Sequence, residues 1–182
     1  MTRPDLISGT LNSAVFSDCG KYRYRLYRRV GRSSRKCLFI MLNPSTADAF
    51  RNDPTICRCI TFAQKWGCGV LVVVNLFGFR ATSPKEMLDA VDPVGPENHR
   101  FVVEAIQEVA GEGDRAYMPI AGPVVCAWGT KGGFMEQDQT VLGWIRKERV
   151  VPMCLRQTKA GHPAHPLYLP KSLDPIPMGP VR

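Results

Sequence analysis

The chain has 182 residues, a net charge of +8, 45% apolar and 22% charged side chains, which describes one globular domain with its own core and excludes a disordered polyelectrolyte. No run approaches the ~18 consecutive apolar residues of a membrane-spanning helix, and the opening MTRPDLISGT lacks a secretory signal's apolar centre, so a cytoplasmic protein with no membrane partner is expected. The seven cysteines contain no C-x-x-C pair and read as free, mostly buried thiols, with no metal and no cofactor expected.

In chain order, Ser13 to Phe16 and Tyr22 to Val30 read as a hairpin whose turn, Ser17-Asp18-Cys19-Gly20, has tight-turn chemistry. Tyr22, Tyr24 and Leu26 alternate with Arg23 and Arg25, which predicts one packed face and one basic face. Lys21 to Lys36 holds eight basic residues and no acidic one, equal to the whole net excess. Basic side chains neutralise phosphates and interleaved tyrosines stack on bases, so Arg23, Arg25, Arg28, Arg29, Arg32, Arg35 and Lys36 are expected to engage a nucleic-acid backbone.

Cys37 to Leu42 is nearly all apolar, as in a strand covered on both sides, and breaks at Asn43-Pro44-Ser45. Asp53 caps a helix that starts at Pro54, and Gly67 ends it. Gly69 to Asn75 is a second buried strand. Ser83-Pro84 starts a short helix to Ala90, and Pro96 opens a longer one through Val109. Gly111 to Asp114 reads as a flexible link, Val124 to Trp128 as a third strand ending on Gly129, Met135 to Lys147 as a helix, and Val151 to Leu155 as a fourth strand. Alternating strands and helices predict one three-layer α/β/α domain over 1–174 around a mostly parallel four-stranded sheet, with the basic hairpin at its amino-terminal side. Residues 175–182, rich in proline, are expected to form a flexible tail.

In a parallel sheet the strand outlets share one edge, where ligands bind. Those outlets are Asn43-Pro44-Ser45, Asn75 with Phe77, Gly129, and the block holding His162 and His165. Strand-end asparagines match the edge of a nucleobase, since each offers a carbonyl and an amide NH₂. No P-loop, dinucleotide fingerprint or serine nucleophile elbow is present.

The blocks FIMLNPSTADA, DPTICRC, GVLVVVNLFGFRAT, DPVGPEN, VVCAWG and GHPAHPLYL resemble the bacterial family called domain of unknown function 1643, from Tyr22 to Leu169. More distantly they resemble the uracil-DNA glycosylase superfamily. There an Asn or Asp in a G-x-[N/D]-P motif positions the hydrolytic water, which the resemblance assigns to Asn43 in Met41-Leu42-Asn43-Pro44, with Met41 in place of the glycine. The base-reading asparagine of that superfamily falls on Asn75, its stacking aromatic on Phe50 or Phe77, and its L-W-G on Ala127-Trp128-Gly129. Its H-P-S-P-L histidine falls on His162 or His165, because His162-Pro163-Ala164-His165-Pro166-Leu167 is one residue longer.

The resemblance implies a uracil-DNA glycosylase-like fold and a monomeric, DNA-binding hydrolase. The enzyme would cleave the N-glycosidic bond of a modified or damaged base flipped out of DNA. Asn43, His162 and His165 would be catalytic, with Pro44, Ser45, Phe50, Asn75, Phe77 and Gly129 around the base. The alternatives are a non-catalytic module binding DNA or RNA, and a hydrolase of a small nucleoside or nucleotide. Asn43, Asn75 and a histidine around one pocket beside a basic surface favour the first reading. A pocket filled by side chains favours the binding module, and a deep closed pocket with the basic hairpin on its far side favours the small ligand.

Overall fold

The computed structural model describes residues 12–111 and 122–180. Most of the link expected at Gly111 to Asp114, the amino-terminal stretch that bears on a signal peptide, and residues 181 and 182 lie outside the described residues. Seven strands form one sheet: β1 Asn12–Phe16, β2 Arg23–Arg29, β3 Lys36–Met41, β4 Val70–Asn75, β5 Val124–Cys126, β6 Met153–Cys154 and β7 Ile176–Pro177, ordered β1-β2-β4-β3-β5-β6-β7.

The expected mostly parallel four-stranded sheet of a uracil-DNA glycosylase-like sandwich is corrected by this topology. Three pairings are parallel, β3 with β4, β3 with β5 and β5 with β6. Three are antiparallel, β1 with β2, β2 with β4 and β6 with β7. The cause lies at the edges. The unpaired outer N–H and C=O row of β4 is covered by the amino-terminal hairpin, and that of β6 by the carboxyl-terminal chain, so neither edge is left open. Residues 176 and 177, expected in a flexible tail, are a strand: Ile176 pairs with Cys154, and the Met178 N–H donates to the Pro152 carbonyl at 2.8 Å.

Four helices are described. Helix α1, Pro54–Lys65, starts as its sequence requires: the Asp53 carboxylate accepts from the Ile56 N–H at 2.8 Å, and proline occupies the first turn, where its missing N–H matters least. Helix α2 is Pro84–Leu88, α3 Asn98–Ala110 and α4 Gln137–Lys147, the last preceded by a 3₁₀ segment, Thr130–Glu136. A second 3₁₀ turn, Pro166–Tyr168, follows His165. Alternation along the buried strands sends side chains to two cores. Leu71, Val73, Phe39 and Met41 pack against Ile56, Phe62 and Ala63 of α1, while Val72, Val74, Leu38 and Ile40 pack against Val102, Ile106, Val141 and Ile145 of α3 and α4.

Strand β2 departs from simple alternation. Its register against β1 shifts between Val15, opposite Arg25, and Phe16, opposite Arg23. This β-bulge puts Tyr24 and Arg25 both on the α3 side, where Tyr24 stacks on Phe101 at 5.1 Å and Arg25 pairs with Glu108. It also turns Arg23 to the α1 side, the side of Leu26 and Arg28. The expected split into one apolar and one basic face is thereby replaced.

Candidate functional site

A cleft of about 510 Å³ opens where β3 and β5 end. Its floor is Met41, Leu42, Trp128 and Arg23, and Asn43, Ser45 and Gly129 stand at the strand outlets. One wall is Asp53, Pro54 and Thr55 at the amino terminus of α1, and the other holds Thr130, Lys131, His165 and Tyr168. A larger but more open depression of about 610 Å³, lined by Arg35, Trp66, Arg149 and Val151, lies at the opposite edge of the sheet and meets none of the strand outlets.

Asn43 comes two residues after Met41, the last ladder residue of β3, and is half-buried in the cleft lining just before Pro44. Its Nδ2 donates to the Ala81 carbonyl at 2.9 Å and to the Pro44 carbonyl at 3.2 Å. Two backbone acceptors settle which amide atom is the donor, and Oδ1 is left to accept a hydrogen bond from a ligand or a water. Gly129 has φ of 74° and ψ of −166°, open to glycine and strained for other residues, and its N–H donates to the Pro163 carbonyl at 2.9 Å. That bond fastens the histidine block beside the β5 outlet.

His165 lines the cleft and His162 does not. Burial lowers the His165 pKa below its usual value, and Asp53 opposes the shift only in part. His165 is therefore neutral at pH 7, and its Nδ1 accepts from the Leu167 N–H at 3.4 Å. The ring proton then sits on Nε2, where it can be donated. The backbone N–H of His162 is held by Thr158 Oγ1 at 3.1 Å, and its Nδ1 is buried with no partner among the described residues.

Four expected base contacts lie outside the cleft lining. Asn75 pairs in register with Met41 but is 0% exposed, and neither its Oδ1 nor its Nδ2 has a partner among the described residues. Phe77 is in the α3 core, its ring 5.8 Å from that of Phe134. Phe50 is fully exposed outside the cleft, on the turn where the Asp48 carboxylate accepts from the Phe50 and Arg51 N–H groups. Pro44 is buried, and its carbonyl accepts from the Ala81 N–H.

The basic stretch is absorbed mainly into the fold. Arg28 is buried and bonded to Asn52 Oδ1 and to the carbonyls of Ser13, Tyr27, Asp48 and Arg51, holding the loop that frames the cleft. Arg25 and Lys36 share Glu108. Arg29, Arg32 and Arg35 lie near the start of β3, a strand's length from the cleft, with Arg35 bonded to the Trp66 carbonyl. Tyr22 and Tyr24 stack within the protein.

Arg23 is the member of that stretch that lines the cleft. Its Nη1 donates to the Ala47 carbonyl at 2.7 Å. Burial lowers its pKa to about 10, with Asp53 opposing, so it stays charged at neutral pH. Holding an unpaired charge out of water costs several kcal/mol in a folded protein.

Lys131, Thr55 and Tyr168 also line the cleft, although no motif in the sequence marks them. Their signal was position, next to the Gly129 turn, the α1 cap and the histidine block. Among the described residues no cluster of three or more His, Cys, Asp or Glu is arranged to hold a metal ion. All seven cysteines are free, with Cys19 and Cys57 exposed and the others buried. No helix among the described residues is long and apolar enough to cross a membrane.

No curated protein and no solved structure matches the chain. A family model described as Protein of unknown function (DUF1643) matches residues 23–167, and the chain belongs to that family.

Proposed function

We propose that the protein is a hydrolase of a small nucleoside or nucleotide, cleaving its N-glycosidic bond in the cleft at the β3 and β5 outlets. The observation that carries this reading is the carboxamide of Asn43. Two backbone carbonyls hold it with Oδ1 available as an acceptor, in the same cleft as a neutral His165. A sugar cation-like transition state needs its water oriented more than deprotonated, which a neutral amide can do. The water oxygen bonds to the anomeric carbon and gives up one proton, the base departs with the electrons of the broken bond, and the proton released by the water ends on the base. His165 Nε2–H supplies a donor to the departing base. The motif resemblance of Asn43 to a water-positioning residue supports the same role.

Two observations favour a small ligand over duplex DNA. Arg25, Arg28 and Lys36 are occupied by protein partners, and Arg29, Arg32 and Arg35 lie away from the cleft. Asn75, the expected reader of a flipped base, is fully buried in the ladder beside Met41 and does not line the cleft. The cleft also falls within the ~300–1,000 Å³ range of small-molecule sites.

The test is incubation with nucleosides, nucleotides, and single- and double-stranded DNA carrying modified bases, scored for free base and abasic sites. Base release from nucleosides or nucleotides is expected, reduced about 100-fold in Asn43→Ala. Release from duplex DNA alone would return the reaction to a DNA glycosylase. No release from any substrate would remove the hydrolase reading.

A further inference from the structure

We infer that Arg23 is a pre-formed seat for an anion, so that the ligand of the cleft is a nucleoside monophosphate held by its phosphate. The inference rests on the small-ligand reading above and adds the chemical class.

Arg23 is 1% exposed and lines the cleft floor. Among the described residues its hydrogen bond goes to the Ala47 carbonyl, Nε has no partner, and no carboxylate lies within ion-pair distance. The other buried arginine of the strand, Arg28, shows the alternative outcome, with Nε, Nη1 and Nη2 all bonded. Arg25 has the carboxylate of Glu108. Arg29, the fourth arginine of the strand, donates to the Arg32 carbonyl, so one strand carries three arginines supplied with protein partners and one left open at a cleft. The bulge that turns Arg23 there separates it from its neighbour Arg25, and bulges beside active sites re-aim side chains in this way.

The surroundings suit a phosphate. A guanidinium fork matches two phosphate oxygens, and Lys131 adds an exposed ammonium. The Thr55 N–H, in the first turn of α1, has no backbone acceptor among the described residues, and it adds the positive end of a helix. Trp128, also on the floor, has a buried Nε1–H without a partner among the described residues. The remaining groups suit the rest of a nucleotide. Asp53 uses Oδ1 on the Ile56 N–H and keeps Oδ2 for a sugar hydroxyl, while Tyr168, 86% exposed on the wall, offers a ring face to a base.

The experiment is titration calorimetry of the full chain with a set of nucleosides, the matching 5′-monophosphates, and inorganic phosphate. A monophosphate is expected to bind at least about tenfold tighter than its nucleoside. Arg23→Met should bring that ratio toward one, and Arg23→Lys, which keeps the charge without the fork, should restore part of it. Circular dichroism checks the fold of both. If neither folds, Lys131→Ala on the exposed turn reads the same ratio and should lower it severalfold. Equal binding of nucleoside and monophosphate overturns the anion seat and leaves the nucleoside reading standing. Arg23-dependent binding of phosphate alone supports the seat and overturns the nucleotide assignment. No effect of phosphate in any form overturns the inference.

Discussion

Asn43 and Asn75 stand at the ends of neighbouring parallel strands, and the sequence around them looks alike: an apolar run that stops at an asparagine. The structure gives them opposite environments. Asn43 lies beyond the ladder, just before Pro44, and is held by two carbonyls in the cleft lining. Asn75 is still in the ladder opposite Met41. The chain beyond it stays on the same path, with the Leu76 N–H on the Met41 carbonyl and the Phe77 N–H on that of Leu42. Asn98 Nδ2 then ties the Asn75 and Leu76 carbonyls from the α3 side. A strand-end asparagine becomes available for chemistry only where the backbone leaves the sheet.

The sharpest way to break this comparison is the same substitution at both positions. Asn43→Leu is expected to reduce base release about 100-fold or more through loss of the oriented water, and to lower stability by about 1–2 kcal/mol through its two lost hydrogen bonds. Asn75→Leu removes two buried polar atoms that have no partner among the described residues, so a gain of about 1–3 kcal/mol is expected with base release retained. Urea unfolding and product analysis of the two variants check both signs. If Asn75→Leu instead abolishes release while folding normally, the sealed position has a role in the site and the contrast fails.

Gly129 tests whether the cleft depends on its scaffold. Alanine at φ of 74° and ψ of −166° should cost about 1–3 kcal/mol and loosen the bond to Pro163 that places His165, visible as a lower unfolding midpoint. The smallest expected effect is one of pH. The folded pKa of His165 lies below its ordinary 6.5, so below about pH 6.5 the unfolded chain binds more protons and stability falls toward acid. His165→Gln should flatten that part of the profile between pH 7.5 and 5.5, measured by urea unfolding at each pH.

The site was legible in part. The β3 outlet, the Gly129 turn and one of the two histidines meet in one cleft, as a shared sheet edge requires, because strand ends and turn residues are written locally. The two alternatives at the histidine block needed the fold, since His162 and His165 have the same proline neighbours and differ only in what packs beside them. The basic stretch misled for a related reason. A run of arginines records charge and leaves open which carbonyl or carboxylate each side chain will meet; Glu108, Asn52 and Ala47 lie far from their partners in sequence.

The sequence by itself determined the helix start at Asp53-Pro54 and the buried strands around Phe39 and Val73, features set by bonds within a few residues and by uninterrupted apolar runs. It also determined family membership. Tertiary structure decided that the hairpin and the carboxyl-terminal chain complete the sheet, that Asn75 is sealed, and that Arg23 turns into the cleft. These depend on pairing register and a single bulge, and the energies that choose them come from partners distant in the chain.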